Sequence, residues 1–468
     1  MKGRSSSALA GAGLLAALMP AWAGSGLHAQ AARAEIAAGV DSIARAPIEA
    51  GEAAGMAIAA VRGTDTLVLA AYGSADLELG VPMPVDAVFE IGSVTKQFTA
   101  AAVLLLQEEG KLSLDDDLTD WLPDYPAGGR GITIRRLLDH TSGIKGYTEM
   151  PVFRTFTTQE LPRDSLVALF AAEPFDFEPG EALIYNNSAY FLLGLVIEAA
   201  SGESYEDFVE TRLFAAAGMD DSRYCHKDEL VPNRAEGYQP GRDGLRPADY
   251  LDHLWPYAAG SLCSTVRDLV AWNQALHGDG EGGDLLSPDS YRELITPGTL
   301  ADGTPVRYAK GLGITLRDGR PRIGHGGGIF GYVSELRYLP DEDLTIAVLI
   351  NTSGRVSPGK IANRIEELVL GPPAPVRPRV FTGDLDRYTG TFRGPGRGRR
   401  LNVTVAVDDD GRLAIRLPPD PAEPVDWLGG DTFGSGDRRF TFRREGGEVV
   451  ELRVDTVGGH YVLRRVSR

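Results

Sequence analysis

Ser93-Val94-Thr95-Lys96 runs without a break into Gln97-Phe98-Thr99-Ala100-Ala101-Ala102-Val103-Leu104-Leu105-Leu106. So apolar a run, stopped by Gly110, predicts a buried helix over about residues 93–109. Residues three apart share a helix face, so Lys96 lies beside Ser93. The helix N-terminus adds partial positive charge where an oxyanion would form. A lysine in apolar surroundings loses its proton readily and can then activate a hydroxyl. Two other Ser-x-x-Lys stretches lack this setting. Ser357-Pro358-Gly359-Lys360 opens a helix with proline in its first turn, which makes Ser357 an N-cap. Ser142-Gly143-Ile144-Lys145 is broken by glycine and followed by another, and reads as loop.

Outward from this helix the pattern is mixed. Residues 34–46 read as a helix, and 56–61 with 67–71 as a strand pair. A second helical run lies within 181–198 and a third over 264–276. Strand character returns over 307–316, 332–339 and 344–351, and a helix over 358–370 closes this part. Strands at both ends of a helical middle indicate an α+β layer design rather than a doubly wound parallel sheet. Residues 371–380 contain four prolines and form a stiff linker. Beyond it, 381–468 has short alternating runs broken at Asp409-Asp410-Gly411, Glu445-Gly446-Gly447 and Gly458-Gly459. This predicts a small all-β, barrel-like C-terminal domain.

The chain of 468 residues carries 47 basic and 65 acidic side chains, a net charge of -18. So acidic a surface repels phosphate backbones, so no nucleic-acid partner is expected. The charge is uneven: residues 24–373 sum to -23, whereas residues 374–468, with 17 Arg and 14 Asp or Glu, sum to +3. The basic tail is therefore expected to dock on the acidic body. Lys2 and Arg4 precede an apolar run over 8–19. Small-x-small sites follow at 21–23 and 29–31, the layout of a secretory signal peptide over 1–23, with cleavage as late as 31. No later run is long enough to span a bilayer, so the expected mature chain, about 33–370 plus the tail, has no transmembrane segment and lies in the periplasm or outside the cell. The two cysteines, Cys225 and Cys263, fit either a disulfide or two buried thiols. Neither a cysteine zinc cluster nor a His-Glu-x-x-His site is present, and no cofactor is expected. Gly326-Gly327-Gly328-Ile329-Phe330-Gly331 matches Gly-x-Gly-x-x-Gly, but a strand-like run follows where dinucleotide binding needs a helix.

Two further segments bear on Ser93. Tyr185-Asn186-Asn187 lies ahead of a new helix, and Ile323-Gly324-His325-Gly326-Gly327-Gly328 sets a histidine among glycines beside a strand. Ser93-x-x-Lys96, Tyr185-x-Asn187 and His325-Gly326-Gly327, in this order, resemble the three active-site elements of the serine penicillin-recognising enzymes. The likeness is to the group of class C β-lactamases, D-alanyl-D-alanine carboxypeptidases and D-aminopeptidases or esterases. Phe89-Glu90-Ile91-Gly92-Ser93, Leu137-Leu138-Asp139-His140-Thr141-Ser142-Gly143 and Ala258-Ala259-Gly260-Ser261-Leu262 extend the resemblance over roughly residues 35–370.

The resemblance implies a β-lactamase/transpeptidase-like fold, with an antiparallel sheet flanked by helices and a helical subdomain. It implies Ser93 as acylated nucleophile, with Lys96 and Tyr185 sharing proton transfer, the lysine charge lowering the phenol pKa. Asn187 would orient Lys96 and the substrate amide, and His325 and Gly327 would contact substrate. The backbone N–H groups of Ser93 and Gly328 would form the oxyanion hole. His140 is expected to be structural, and Tyr147 and Trp255 to pack, with pocket lining as the alternative. β-Lactamases of the group usually have Lys-Thr-Gly or Lys-Ser-Gly where this chain has His325-Gly326-Gly327. A neutral imidazole grips a carboxylate weakly, and His-x-Gly is familiar in the D-aminopeptidases and esterases. The expected function is therefore hydrolysis of small esters, amides or D-amino-acid peptides through an acyl-enzyme. A penicillin-binding D,D-carboxypeptidase or class C-like β-lactamase is the alternative. A different class of reading is a cell-wall ligand receptor or interaction protein that does not turn over.

Overall fold

The computed structural model describes residues 22–226, 228–317, 319–372 and 379–467. The signal-peptide stretch up to residue 21 and linker residues 373–378 lie outside the described residues. Helix α1, Trp22–Glu49, includes the remaining candidate cleavage positions. Among the described residues no helix is long and apolar enough to cross a membrane.

The body is built on an antiparallel sheet. Its labelled strands are β1 (Gly55–Arg62), β2 (Asp65–Asp76), β3 (Gly313–Arg317), β4 (Arg320–Ile329), β5 (Tyr332–Leu339) and β6 (Leu344–Ile350). In space they run β3-β4-β5-β6-β1-β2, with Val81–Pro82 at the far edge. Strand alternation sends Met56, Ile58 and Ala60 to one face and Ala57, Ala59 and Val61 to the other. The first set packs with Val40, Ile43 and Ala44 of α1 and with Ile361 and Ile365 of the helix Pro358–Leu370. The second set joins a larger core that includes Phe98, Leu104 and Trp272. With helices on both faces, β1 and β6 are apolar almost throughout rather than alternating.

Helix α2, Thr95–Glu108, follows a single 3₁₀ turn over Gly92–Val94. Thr95, Lys96, Gln97 and Thr99 are buried, each with at least one hydrogen-bond partner. Trp272 Nε1 donates to Gln97 Oε1 at 2.7 Å, and the Thr99 hydroxyl donates to Ala258 O at 2.7 Å. Phe98 lies on Trp272 with ring centroids 4.0 Å apart. A helix so enclosed has little freedom to rotate or slide, and it carries Lys96.

Two expectations are corrected. Residues 307–316 do not form one strand: β3 begins only at Gly313. Gly311 adopts φ +72°, and a Cβ there would come within 2.5 Å of Lys96 O, so the chain turns over the α2 backbone instead of extending. His325-Gly326-Gly327 lies within β4 itself, not beside a strand. Cys225 and Cys263, left open by the sequence, form a disulfide. It ties Cys225, next to the strand Arg223–Tyr224, to the strand Leu262–Ser264.

Residues 390–467 form a nearly closed antiparallel barrel around Phe392, Val403, Phe440, Phe442 and Leu452. It joins the body at the strand Leu183–Ile184, which pairs with Gly459 and His460. Ion pairs reinforce this joint: Arg307 with Asp455 at 2.7 Å and Arg453 with Asp302 at 2.6 Å.

Candidate active site

Ser93 sits in the 3₁₀ turn ahead of α2, and that helix has no side-chain cap, so the hydroxyl is not spent on capping. Lys96, one turn on, is fully buried. Its Nζ lies 3.2 Å from Ser93 Oγ and donates to Asn187 Oδ1 at 2.8 Å and Ala259 O at 2.7 Å. Two acceptors are the number a neutral amine can serve, which leaves its lone pair for the serine proton. Burial holds the amine well below its ordinary pKa; the Arg397 charge adds to this and Glu149 opposes it.

Tyr185 follows the strand Leu183–Ile184, and its ring centroid is 4.8 Å from Lys96 Nζ. Its buried hydroxyl closes no hydrogen bond within normal geometry. The expectation that lysine charge lowers this phenol pKa fails. Burial raises it above the ordinary phenol value, with Ser93 and Arg397 only partly opposing the rise. Burial thus favours the uncharged form of both groups, a neutral amine at Lys96 and a neutral phenol at Tyr185.

Asn187 opens helix α3, Asn187–Ser201. The cap is its neighbour Asn186, whose side chain accepts from Ala189 N, and this leaves Asn187 free to face Lys96. Both decoys behave as loop and cap. Lys145 pairs with Asp176, and Ser357 accepts from Lys360 N.

Strand β4 brings the third element against the turn at Ser93. A Cβ on Gly327 would fall 2.0 Å from Ile91 O, and one on Gly92 would fall 2.9 Å from Gly328 N. Gly327 thus lets two backbones touch, and Gly328 is set against the residues flanking Ser93. Strand β3 pairs with β4 only as far as Gly324, so His325–Ile329 form an open edge beside the site. His325 uses both ring nitrogens. Nδ1 lies 2.6 Å from Gly326 O and Nε2 lies 3.0 Å from Tyr308 Oη. A carbonyl accepts only, so Nδ1 carries the proton and Nε2 accepts from Tyr308. Burial and then the Lys96 charge push this imidazole down to about 3, so it is neutral at pH 7. The His140 ring packs at a tilt against Tyr185, centroids 4.4 Å apart, and its Nδ1 accepts from Asn186 N.

A cavity of about 140 Å³ opens at Ser93, lined also by Asn187, Gly328, Tyr147, Thr148 and Phe153. Tyr185 and His325 border a larger cavity, about 520 Å³, between the sheet edge and the barrel. Tyr147 both packs and lines the smaller cavity, while buried Trp255 does not line it. Sequence reasoning missed the Ala259 carbonyl, Thr148, Glu149 and Arg397. None belongs to a motif that names its chemistry. The Arg-rich, Gly-rich stretch 393–400 was the one available hint.

Residues 40–370 match the family described as Beta-lactamase. The chain belongs to that family. It is 30% identical over 363 residues to penicillin-binding protein 4* of Bacillus subtilis, covering 72% of this chain and 78% of that one. It is 28% identical over 416 residues to D-aminopeptidase of Brucella melitensis, covering 88% of this chain and 76% of the relative. A D-stereospecific amidohydrolase from Streptomyces superposes with a TM-score of 0.62 at 29% identity, over 72% of this chain and 99% of its own. Beta-lactamase family membership, with these relatives, makes the protein a serine hydrolase of the acyl-enzyme type.

Proposed function

We propose that Ser93 is the nucleophile of an exported hydrolase acting on D-aminoacyl amides, short D-residue peptides and small esters. Neutral Lys96 takes the Ser93 proton as Oγ bonds to the carbonyl carbon. The resulting oxyanion faces the backbone N–H groups of Ser93 and Gly328. Collapse breaks the bond to the leaving group, which takes a proton relayed from Lys96 through the Tyr185 hydroxyl, and water then releases the acid. Asn187 keeps the lysine aimed, and His325 and Gly327 shape the wall along the open strand edge.

One observation favours this over a carboxypeptidase or an efficient β-lactamase: both His325 nitrogens are already bonded within the protein. The third element therefore offers no free cation to a substrate carboxylate. The D-aminopeptidase and D-stereospecific amidohydrolase relatives support the same substrate class, and the signal-like N-terminus supports export.

The test is a panel of D- and L-aminoacyl p-nitroanilides, short-chain p-nitrophenyl esters, a D-Ala-D-Ala peptide and a chromogenic cephalosporin, run beside Ser93→Ala. Turnover of esters and D-amides well above the cephalosporin, lost in the variant, is expected. Equal rates for wild type and variant on every compound would overturn the proposal. Stable labelling without turnover would replace it with a receptor.

A further inference from the structure

Glu149 is a carboxylate with little contact with water, its side chain only 14% exposed. It is wedged between two glycines. A Cβ on Gly146 would lie 2.3 Å from its Oε2, and one on Gly398 would lie 2.4 Å from its Cβ. Gly398 belongs to the barrel, at the tip of the hairpin joining Gly390–Gly396 to Arg399–Val407, and has φ +64°. The preceding residue, Arg397, donates through Nε to Glu149 Oε1 at 2.5 Å, across 248 residues of chain. Its guanidinium carbon stands 5.1 Å from the centroid of the Tyr185 ring.

From Glu149 a hydrogen-bond chain leads inward. The Thr148 hydroxyl donates to the Glu149 carboxylate at 2.9 Å and accepts from Asn187 Nδ2 at 3.1 Å. Asn187 Oδ1 in turn accepts from Lys96 Nζ. The direction of every bond is dictated from the carboxylate end, because an ionised carboxylate only accepts and a guanidinium only donates. A fixed carboxylate fixes the Thr148 proton, which fixes the Asn187 amide with its oxygen toward Lys96. An amide turned the other way would point N–H groups at the amine and remove one of its two acceptors.

We propose that the C-terminal barrel completes the active site, with Arg397 a positioning residue that orients Lys96 through Glu149, Thr148 and Asn187 and covers Tyr185. This deepens the acyl-enzyme reading and rests on it. The barrel also fixes Tyr185 by its backbone, since Tyr185 N donates to Gly458 O at 3.1 Å, in line with the pairing of Leu183–Ile184 with Gly459 and His460.

Electrostatics sharpen the test. Lys96 is faced by Tyr185 and Tyr190 (5.3 Å from Nζ), by His140 and His325, both held toward the neutral form, and by Arg397 and Glu149. Arg397 opposes protonation of Lys96, and Glu149 favours it. Removing the two groups must therefore move the acid limb of the rate profile in opposite directions.

The experiment follows kcat/KM against pH on the full-length chain with p-nitrophenyl acetate, a substrate without charge. Arg397→Met is expected to lower the rate at neutral pH about tenfold and shift the acid limb upward by roughly half a unit or more. Arg397→Lys restores most of both. Glu149→Gln shifts the limb downward. Circular dichroism and the melting temperature report whether each variant folds, and Glu149→Gln carries the test if Arg397→Met does not. An unmoved limb in the folded variants, with rates within twofold of wild type, would overturn the proposal while Ser93→Ala stays inactive. Activity surviving in Ser93→Ala would instead remove the parent reading.

Discussion

Lys96 and Tyr185 stand side by side but are held by different parts of the molecule. Lys96 is fixed from within the body: the first ten residues of its helix are buried, and its acceptors come from α3 and the 3₁₀ turn Tyr257–Ala259. Tyr185 lies at a seam. One face meets His140 of the body, the other meets Arg397 of the barrel, and its backbone N–H is bonded to Gly458. The body thus supplies the identity of the reacting groups, and the barrel contributes to their alignment. Buried packing is rigid and expensive to alter, whereas a joint made of partly exposed ion pairs and a two-residue strand pairing responds to salt and pH.

The largest expected effects lie wholly in the body. Ser93→Ala should cut kcat/KM for p-nitrophenyl acetate by about 10⁴ or more with no loss of melting temperature, and Lys96→Met by a similar factor. Next is the disulfide. A 38-residue separation closed by Cys225–Cys263 corresponds to about 4 kcal/mol by loop entropy. The Cys225→Ala/Cys263→Ala double variant should show that loss in urea denaturation, with kcat/KM changed far less. At the seam, Tyr185→Phe keeps the packing and removes the proton relay, and should cost about 10² in kcat.

The smallest effect belongs to the outer joint. Asp302 is held below the ordinary carboxylate range, first by its hydrogen bond from Arg453. A depressed folded-state value means its stabilising contribution is complete above about pH 4, the unfolded carboxyl value, and fades as pH falls through the depressed one. Being 42% exposed, it is worth at most about 1 kcal/mol. Asp302→Asn should remove this share of the acid sensitivity of barrel docking, read by hydrogen exchange at Leu183–Ile184, and leave the neutral-pH rate within about twofold. A rate collapse there would mean the joint matters more than its exposure allows.

Legibility in the sequence follows the same division. Ser93 and Lys96 could be read because helical spacing brings them together without help from distant parts of the chain. The closing helix, Pro358–Leu370, was readable because Ser357 and Pro358 mark its start locally. His325 was found, but its setting was misplaced. The glycine-rich stretch was placed beside a strand, whereas it lies within β4, where its glycines serve close backbone contact with Ile91 and Gly92. The stretch 307–312 was read as part of a strand, and Gly311 turns the chain there because α2 lies beneath it. Tyr185 was assigned a lowered pKa from the lysine beside it, but burial dominates. Glu149 and Arg397 escaped altogether, since their meeting depends on how a separately formed barrel seats, which no local pattern encodes.

The most direct measurement is intact-protein and peptide mass spectrometry on samples quenched within milliseconds during turnover of a slowly released ester. The predicted result is a transient added acyl mass on the peptide containing Ser93, appearing with the first turnover and absent in Ser93→Ala. Steady hydrolysis with no acyl mass on the protein, or with that mass on any other residue, would contradict an acyl-enzyme at Ser93.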